Sequence, residues 1–156
     1  MLLDVDGVIN DLGHLEGQPR PWDTRIIAAD GFRIHIPDFM PMLIQSLAAV
    51  CEIHWCTTWR ERANGALAEA LGAGPFPVID DGTDDRYPDW KPRAAYDLVA
   101  EAVARGREVY WIEDFYGEYP VDVMPPGIVY VDTAVIPGGA VLTFELLPPE
   151  LKGRIR

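Results

Sequence analysis

The chain has 156 residues, 49% of them hydrophobic and 24% charged, and its 25 acidic against 13 basic residues give a net charge of −12. This length and composition predict one globular domain with its own core. No apolar run approaches the roughly 20 residues that a membrane helix needs, and no signal peptide is apparent, so we expect no membrane association. The negative charge disfavours extensive binding to a nucleic-acid backbone.

The first predicted strand covers residues 1–5 and leads into the carboxylates of Asp4 and Asp6, with Gly7 permitting a sharp turn. In an extended segment, residues i and i+2 point to the same side, so both carboxylates are expected to face one spot. Two carboxylates that close resist joint ionisation, which pushes their pKa values apart or recruits a cation. One can then act as nucleophile or metal ligand while the other carries a proton. An exposed turn is the simpler alternative for this segment taken alone.

An insertion over residues 11–37 follows this strand. Thr24–Ala29 and Phe32–Ile36 flank Asp30-Gly31, a strong signal for a short hairpin turn. We interpret the insertion as a β-hairpin flap that projects from just after the first strand.

Short apolar runs then alternate with helical patterns. Helices are predicted after Asp38, over residues 61–71, around Ala95–Val103 and from Pro149. The further strands are predicted at Cys51–Cys56, Phe76–Ile79, Val109–Ile112 and Ile128–Val131. Short apolar strands separated by helices are typical of a buried parallel sheet. Residues 1–156 are therefore predicted to form one α/β domain, a doubly wound, mainly parallel Rossmann-like sheet of about five strands, with helices on both faces and the hairpin flap after strand 1.

The two cysteines, Cys51 and Cys56, lie five positions apart in one predicted strand, so their side chains should face opposite sides. They cannot pair within that strand and have no zinc-ligand spacing. We therefore expect core thiols in a reducing compartment, which favours a cytoplasmic location.

Several polar residues follow the predicted strands, at the edge where open α/β sheets bind ligands. Each has a simple explanation by itself, such as a strand-end hydroxyl, a solvated first-turn lysine or a helix cap. Their joint occurrence at matching strand ends favours a functional site instead. The residues are Asp4, Asp6, Thr57, Thr58, Glu113, Asp114 and, at the start of the helix around Ala95–Val103, Lys91.

This set of groups suits phosphoryl transfer. Substrate and carboxylate nucleophile are both negative, so a divalent cation with hard oxygen ligands must bridge them. A hydroxyl and an ammonium then hold the remaining phosphoryl oxygens. A carboxylate nucleophile forms an aspartyl-phosphate, while a second carboxyl protonates the leaving oxygen and later activates water.

Four motifs in this order resemble those of the haloacid dehalogenase-like (HAD) superfamily, over nearly the whole chain. Asp4-Val5-Asp6-Gly7-Val8 resembles the first motif, Thr57 the second, Lys91 the third and Glu113-Asp114 the acidic fourth. Glu118 lies where some members carry an additional Asp. The resemblance implies a Rossmann-like sheet, Mg²⁺ and phosphomonoester hydrolysis.

The resemblance also implies roles. Asp4 would be the nucleophile and Asp6 the acid/base, and Thr57 and Lys91 would complete the catalytic set. Mg²⁺ would be held by Asp4, Asp6, Asp114 and Glu113, and the substrate phosphate by Thr57, Thr58, Lys91 and Arg60. The insertion is long enough for a hairpin only, so we expect an open site without a large cap.

The substrate is left open. A small phosphorylated compound is expected, with nucleotides, sugar phosphates and polynucleotide 3′-ends as candidates. Trp59 and Trp90 flank the expected site, where they would stack on a substrate ring or pack around the phosphate-binding loop.

Two non-enzymatic alternatives stand beside the phosphatase. A signalling receiver domain also gathers acids, Thr and Lys around Mg²⁺, but its phosphoacceptor lies on a middle strand and precedes Thr and Lys. A HAD-like scaffold that binds Mg²⁺ and phosphate without turnover is the second alternative.

Overall fold

The computed structural model of the protein describes residues 1–15, 19–82, 86–87, 89–114, 119, 123–135 and 141–155. Over these residues, the fold is α/β, with a four-stranded parallel sheet and a two-stranded antiparallel sheet. The strands are β1 (Leu2–Leu3), β2 (Thr24–Ala29), β3 (Phe32–Pro37), β4 (His54–Trp55), β5 (Val109–Glu113) and β6 (Ile128–Asp132). The α-helices are α1 (Leu12–Leu15), α2 (Met40–Ala48), α3 (Ala66–Leu71), α4 (Trp90–Ala104) and α5 (Pro149–Lys152), with 3₁₀ helices at Arg60–Asn64 and Phe144–Leu146.

The parallel sheet has the strand order β4-β1-β5-β6. Leu3 of β1 pairs with Trp55 on one side and with Ile112 on the other. The hydrogen bonds continue beyond the strand, since the Asp4 N–H donates to the Ile112 carbonyl at 3.2 Å. The carboxyl ends of β1, β4 and β5 therefore lie side by side.

Each face of the parallel sheet packs against helices. Leu2 and Trp111 belong to a cluster with Ala95 and Val99 of α4. Leu3 and Ile112, the next residue along each strand, belong to a larger cluster that includes buried side chains of α2, α3 and the hairpin. Because successive strand residues point to opposite faces, this division places α4 on one face and the other elements on the opposite face.

The predicted five strands are reduced to four, because Phe76–Ile79 forms only a single parallel bridge between Val78 and Trp55. The Trp55 N–H donates to the Pro77 carbonyl and the Trp55 carbonyl accepts from the Ile79 N–H, each at 2.8 Å. Pro77 has no N–H to extend the ladder, so the strand stops there.

Two other predicted strands are shorter than expected. Residues 1–5 contribute only Leu2–Leu3, because the chain turns at Val5, whose carbonyl accepts the N–H groups of residues 8, 9 and 10. Cys51–Cys56 contributes only His54–Trp55, because the Cys51 N–H is still bonded to the Leu47 carbonyl at the end of α2.

The predicted hairpin is confirmed, and its strands pair from Thr24↔Pro37 to Ala29↔Phe32. Asp30 and Gly31 both have positive φ, 49° and 82°, as the tightest hairpin turns require. The hairpin does not project freely, however, because Ile34 and Ile36 are buried in the main core. It is a docked part of the domain.

The predicted helices are found in the structure with some differences in detail, and α1 lies in the insertion, where no helix was predicted. Residues 61–71 are divided between a 3₁₀ helix and α3, and the helix predicted after Asp38 begins at Met40 with Phe39 as its N-cap. Leu98, within the predicted apolar segment of α4, is exposed. None of the helices described is both long and apolar enough to cross a membrane.

Both cysteines are free thiols, and Cys56 is buried while Cys51 is half-buried. Burial raises the pKa of each thiol above its ordinary value. Both therefore favour the protonated form, which is the unreactive one.

Candidate active site

A buried lysine joins two buried carboxylates at the carboxyl edge of the parallel sheet. The Lys91 ammonium donates to Asp4 Oδ2 at 2.7 Å and to Glu113 Oε2 at 2.6 Å. The exposed fractions are 5% for Asp4, 6% for Lys91 and 0% for Glu113. Lys91 is therefore not the solvated first-turn lysine that was the simpler alternative.

The strand register explains how these three side chains meet. Asp4 follows Leu3, and Glu113 follows the residue that pairs with Leu3, so the two carboxylates leave neighbouring strands on the same face. That face is the one covered by α4. Lys91 lies in the first turn of α4 and reaches between the two carboxylates.

Burial and charge shift the pKa values of this group. Burial raises the pKa of Asp4 to about 7, with Lys91 acting to lower it and Glu113 acting to raise it. Burial would lower the pKa of Lys91, but Asp4 and Glu113 outweigh that effect and hold it above its ordinary value. Lys91 is therefore a permanent cation in this site.

Asp114 adds a third carboxylate beside this pair. One oxygen each from Asp4, Glu113 and Asp114 lie within 4.8 Å of one another, the only such acidic group in the described part of the chain. Asp114 is half-buried, and burial raises its pKa. Three carboxylates face one ammonium, and hard oxygen donors of this kind suit Mg²⁺ or Ca²⁺.

Gly7 makes room for Asp114. A β-carbon on Gly7 would lie 1.9 Å from Asp114 Oδ2, and its φ of +69° is one that other residues rarely adopt. The Gly7 carbonyl also accepts a hydrogen bond from Thr133 Oγ1 at 2.6 Å. The turn after β1 therefore lies against Asp114, the residue that follows β5, and is bonded to Thr133, the residue that follows β6.

Asp6 lies apart from the three-carboxylate cluster. Its Oδ1 accepts from Asn10 Nδ2 at 2.8 Å and its Oδ2 from Trp59 Nε1 at 2.9 Å. The chain turns after β1, so the i, i+2 rule of an extended strand does not apply between Asp4 and Asp6. The structure therefore does not bring the Asp6 carboxylate to the predicted metal ligands.

The predicted phosphate-binding residues follow β4. Thr57 is buried, and its Oγ1 accepts from the Trp59 N–H at 3.3 Å, whereas Thr58 is exposed. The Arg60 guanidinium pairs with Asp80 and lies 4.8 Å from the ring centroid of buried Trp90. Arg60 is thus held by protein groups. Trp90 is buried, which agrees with a packing role rather than with stacking on a substrate ring.

Other residues hold the site together and were not identified from the sequence. Tyr119 Oη donates to Glu113 Oε2 at 3.3 Å, and Tyr130 Oη donates to the Glu113 carbonyl at 3.1 Å. Thr133 directly follows β6, so a search for polar residues at the carboxyl ends of the strands could have found it. The two tyrosines carry no comparable signal. Glu118 lies outside the described residues.

Comparisons with protein-family models, curated proteins and solved structures gave no match. The function of this chain is therefore inferred from the chemistry of the site.

Proposed function

We propose that the protein is a Mg²⁺-dependent phosphatase of the HAD type, which hydrolyses phosphomonoesters through an aspartyl-phosphate on Asp4. The observation that carries this proposal is the Lys91 ammonium buried between Asp4 and Glu113, with Asp114 beside them. A phosphoryl group and a carboxylate nucleophile repel each other, so catalysis needs fixed positive charge at this point.

The sheet supports the same proposal. If the Val78 bridge is counted as a short outer strand, the order becomes Val78-β4-β1-β5-β6, as in a doubly wound Rossmann-like sheet. In such a sheet the strand order reverses at β1, and ligands bind in the crevice beyond that strand's carboxyl end. Asp4 follows β1 directly.

The donor set fits Mg²⁺. This ion usually takes one or two carboxylates and completes its shell with water and substrate phosphate oxygens. Asp4 and Asp114 would hold it, because Glu113 already accepts from Lys91, Tyr119 and the Asp114 N–H. When bound, the ion would supply positive charge that offsets the negative charge of the phosphoryl oxygens.

Each protein group has a defined task in the proposed reaction. The Asp4 carboxylate attacks phosphorus, and the bond from phosphorus to the leaving oxygen breaks as Asp6 gives that oxygen a proton. Asp6 then takes a proton from water as the water attacks phosphorus, which releases phosphate and restores Asp4. Lys91 holds Asp4, and the Thr57 hydroxyl would donate to a phosphoryl oxygen.

A small phosphorylated compound, such as a nucleotide, fits the proposal better than a polynucleotide end, because a net charge of −12 repels a polyanion. A module that binds Mg²⁺ and phosphate without turnover is the remaining alternative. Free cysteines agree with a cytoplasmic location for either function.

Hydrolysis of 4-nitrophenyl phosphate tests the proposal. We expect Mg²⁺-dependent activity that EDTA abolishes and that Asp4→Asn lowers by roughly 10³-fold or more, as expected for a lost nucleophile. Asp97→Asn, which removes the same charge from the exposed side of α4, is the matched control and should retain activity. Full activity in Asp4→Asn would refute the mechanism. Mg²⁺ binding without turnover of nucleotides, sugar phosphates or polynucleotide 3′-ends would favour the non-catalytic module.

A further inference from the structure

Both oxygens of the Asp6 carboxylate are held by side chains that the hairpin supports in turn. The first support is Asn10, whose Nδ2 donates to Asp6 Oδ1 at 2.8 Å. The Oδ1 of the same Asn10 side chain accepts from the His35 N–H of β3 at 2.9 Å. The Asn10 amide is therefore fixed between the hairpin backbone and Asp6.

The second support is Trp59, whose Nε1 donates to Asp6 Oδ2 at 2.9 Å. The Phe32 ring, the first residue of β3 after the hairpin turn, packs edge-on against Trp59, with ring centroids 5.6 Å apart and an interplanar angle of 64°. Phe32 is 55% exposed, so little of its surface serves the core. Its ring contact is with the indole that binds Asp6.

The hairpin itself is a rigid base for these contacts. Ile34 and Ile36 are buried in the main core, and the Arg25 guanidinium donates to the Ala70 carbonyl at the end of α3. Arg25 and His35 both serve this docking, since Arg25 bonds α3 and His35 is buried.

We propose that Asn10 and Trp59 are positioning residues that aim the Asp6 carboxyl at the leaving-group oxygen, and that the β2–β3 hairpin fixes both of them. This inference rests on the proposed phosphatase function. Proton transfer requires the acid within hydrogen-bond reach of the oxygen that departs. A misaligned Asp6 should slow the cleavage of esters whose leaving alcohol needs that proton. A nitrophenolate can leave without a proton, so the cleavage of its ester should be affected little.

Trp59→Phe is the direct test, because it removes the indole N–H and keeps a ring for Phe32 to pack against. Glycerol phosphate, an ester with a poor leaving group, and 4-nitrophenyl phosphate, with a good one, are compared. We expect kcat/KM, which covers the steps up to departure of the alcohol and not the later attack of water, to fall about tenfold or more for glycerol phosphate and to change by less than about threefold for 4-nitrophenyl phosphate, since only the first ester needs the aligned acid for that departure. The inhibition constant of inorganic phosphate should change little, because Asp6 does not hold the phosphate group.

Matched variants separate positioning from a structural effect. Trp22→Phe removes an equivalent indole–carboxylate bond, Trp22 Nε1 to Asp11 Oδ2 at 3.0 Å, and should leave the ratio of the two rates unchanged. Phe32→Ala, at an exposed position that does not threaten folding, should lower the glycerol phosphate rate selectively, and Phe32→Tyr should restore it.

A readout independent of activity accompanies these rates. In ¹⁵N-labelled protein, Asp6→Ala should shift the indole N–H resonance of Trp59 more than that of any other of the five tryptophans. A Trp59 indole resonance insensitive to Asp6→Ala would refute the contact.

The possible failures differ from one another. If the wild-type enzyme is active and Trp59→Phe lowers kcat/KM equally for both esters, or for neither, only the positioning role is overturned. A wild-type protein that hydrolyses neither ester would overturn the proposed phosphatase function, and this inference with it.

Discussion

Lys91 occupies a position that is unfavourable for a lysine in two ways. Its ammonium is buried, and removal of an ammonium from water costs several kcal/mol. It also lies in the first turn of α4, where the helix dipole favours negative charge. Two carboxylates, at 2.7 Å and 2.6 Å, offset both costs. Charge placed against local preference is typical of functional sites.

Lys91→Ala should therefore harm stability as well as activity. The variant leaves the carboxylates of Asp4 and Glu113 buried without their cation, which should lower the free energy of unfolding by about 3 kcal/mol. The rate should also fall by roughly 10²-fold through lost charge stabilisation. Urea denaturation in EDTA and 4-nitrophenyl phosphate hydrolysis measure the two effects.

The control for this prediction is the other lysine, Lys152, which donates to the Glu145 carbonyl at an exposed position. Lys152→Ala should change the unfolding free energy by less than about 0.5 kcal/mol. If Lys91→Ala were as stable as Lys152→Ala, the buried ion pairs would not exist in solution. An unchanged rate would mean that another cation, with Arg60 the first candidate, serves the phosphate.

Part of the site was predictable from the rule that ligands bind beyond the carboxyl ends of parallel strands. This rule predicted that Asp4, Glu113 and Asp114 meet, because residues that follow paired parallel strands share one edge, and Lys91 was added from the start of α4. It failed for Asp6 as a metal ligand, since the turn at Val5 is a feature of hydrogen bonding that the sequence pattern does not encode. The support from Trp59 was also missed, because a contact across 53 positions has no local signal.

Among the secondary-structure elements, the hairpin both contributes side chains to the main core and lies beside the site. Its β3 strand begins with two exposed residues, Phe32 and Arg33, and ends with four buried residues, Ile34, His35, Ile36 and Pro37. Replacement of the hairpin by a flexible loop would therefore remove buried core residues and is expected to unfold the domain. Single substitutions on its two faces are the informative experiment.

Ile36→Ala and Ile26→Ala form such a pair within one hairpin. Ile36 is fully buried at 0% exposure, and its truncation should lower the free energy of unfolding by about 2–5 kcal/mol. Ile26 is 46% exposed, and its truncation should cost less than about 1 kcal/mol. Urea denaturation of both variants measures the difference. Equal, small losses would show that the hairpin is a loose flap, as the sequence first indicated.

The elements themselves were predictable where local chemistry decides them. Asp30-Gly31 located the hairpin turn, and apolar spacing located α4. Strand length was not predictable, because it depends on which N–H groups find partners across the sheet. Pro77 limits the Val78 bridge for this reason, although the residues around it are apolar enough for a strand.

At the scale of the whole molecule, the dominant property is negative charge. A net charge of −12 raises the local concentration of cations around the protein. A non-specific cation effect must therefore be separated from a specific site before Mg²⁺ dependence is interpreted. The fold brings the carboxylates of Asp4, Glu113 and Asp114 together. A specific Mg²⁺ effect should therefore depend on these residues, whereas a non-specific cation effect should respond equally to the loss of any acidic residue.

Mg²⁺ should stabilise the folded protein through this cluster. A ligand that binds only the folded state at 100 times its Kd adds about 2.7 kcal/mol, which for a domain of this size raises Tm by roughly 5–10 °C. Thermal unfolding in saturating MgCl₂, compared with NaCl of equal ionic strength plus EDTA, measures this gain. Asp114→Asn should lose most of the gain, because it removes a ligand at the site. Asp97→Asn, with the same net charge, should keep it. If both variants and the wild type gained equally, Mg²⁺ would act by screening the acidic surface, and the cluster would not be a metal site.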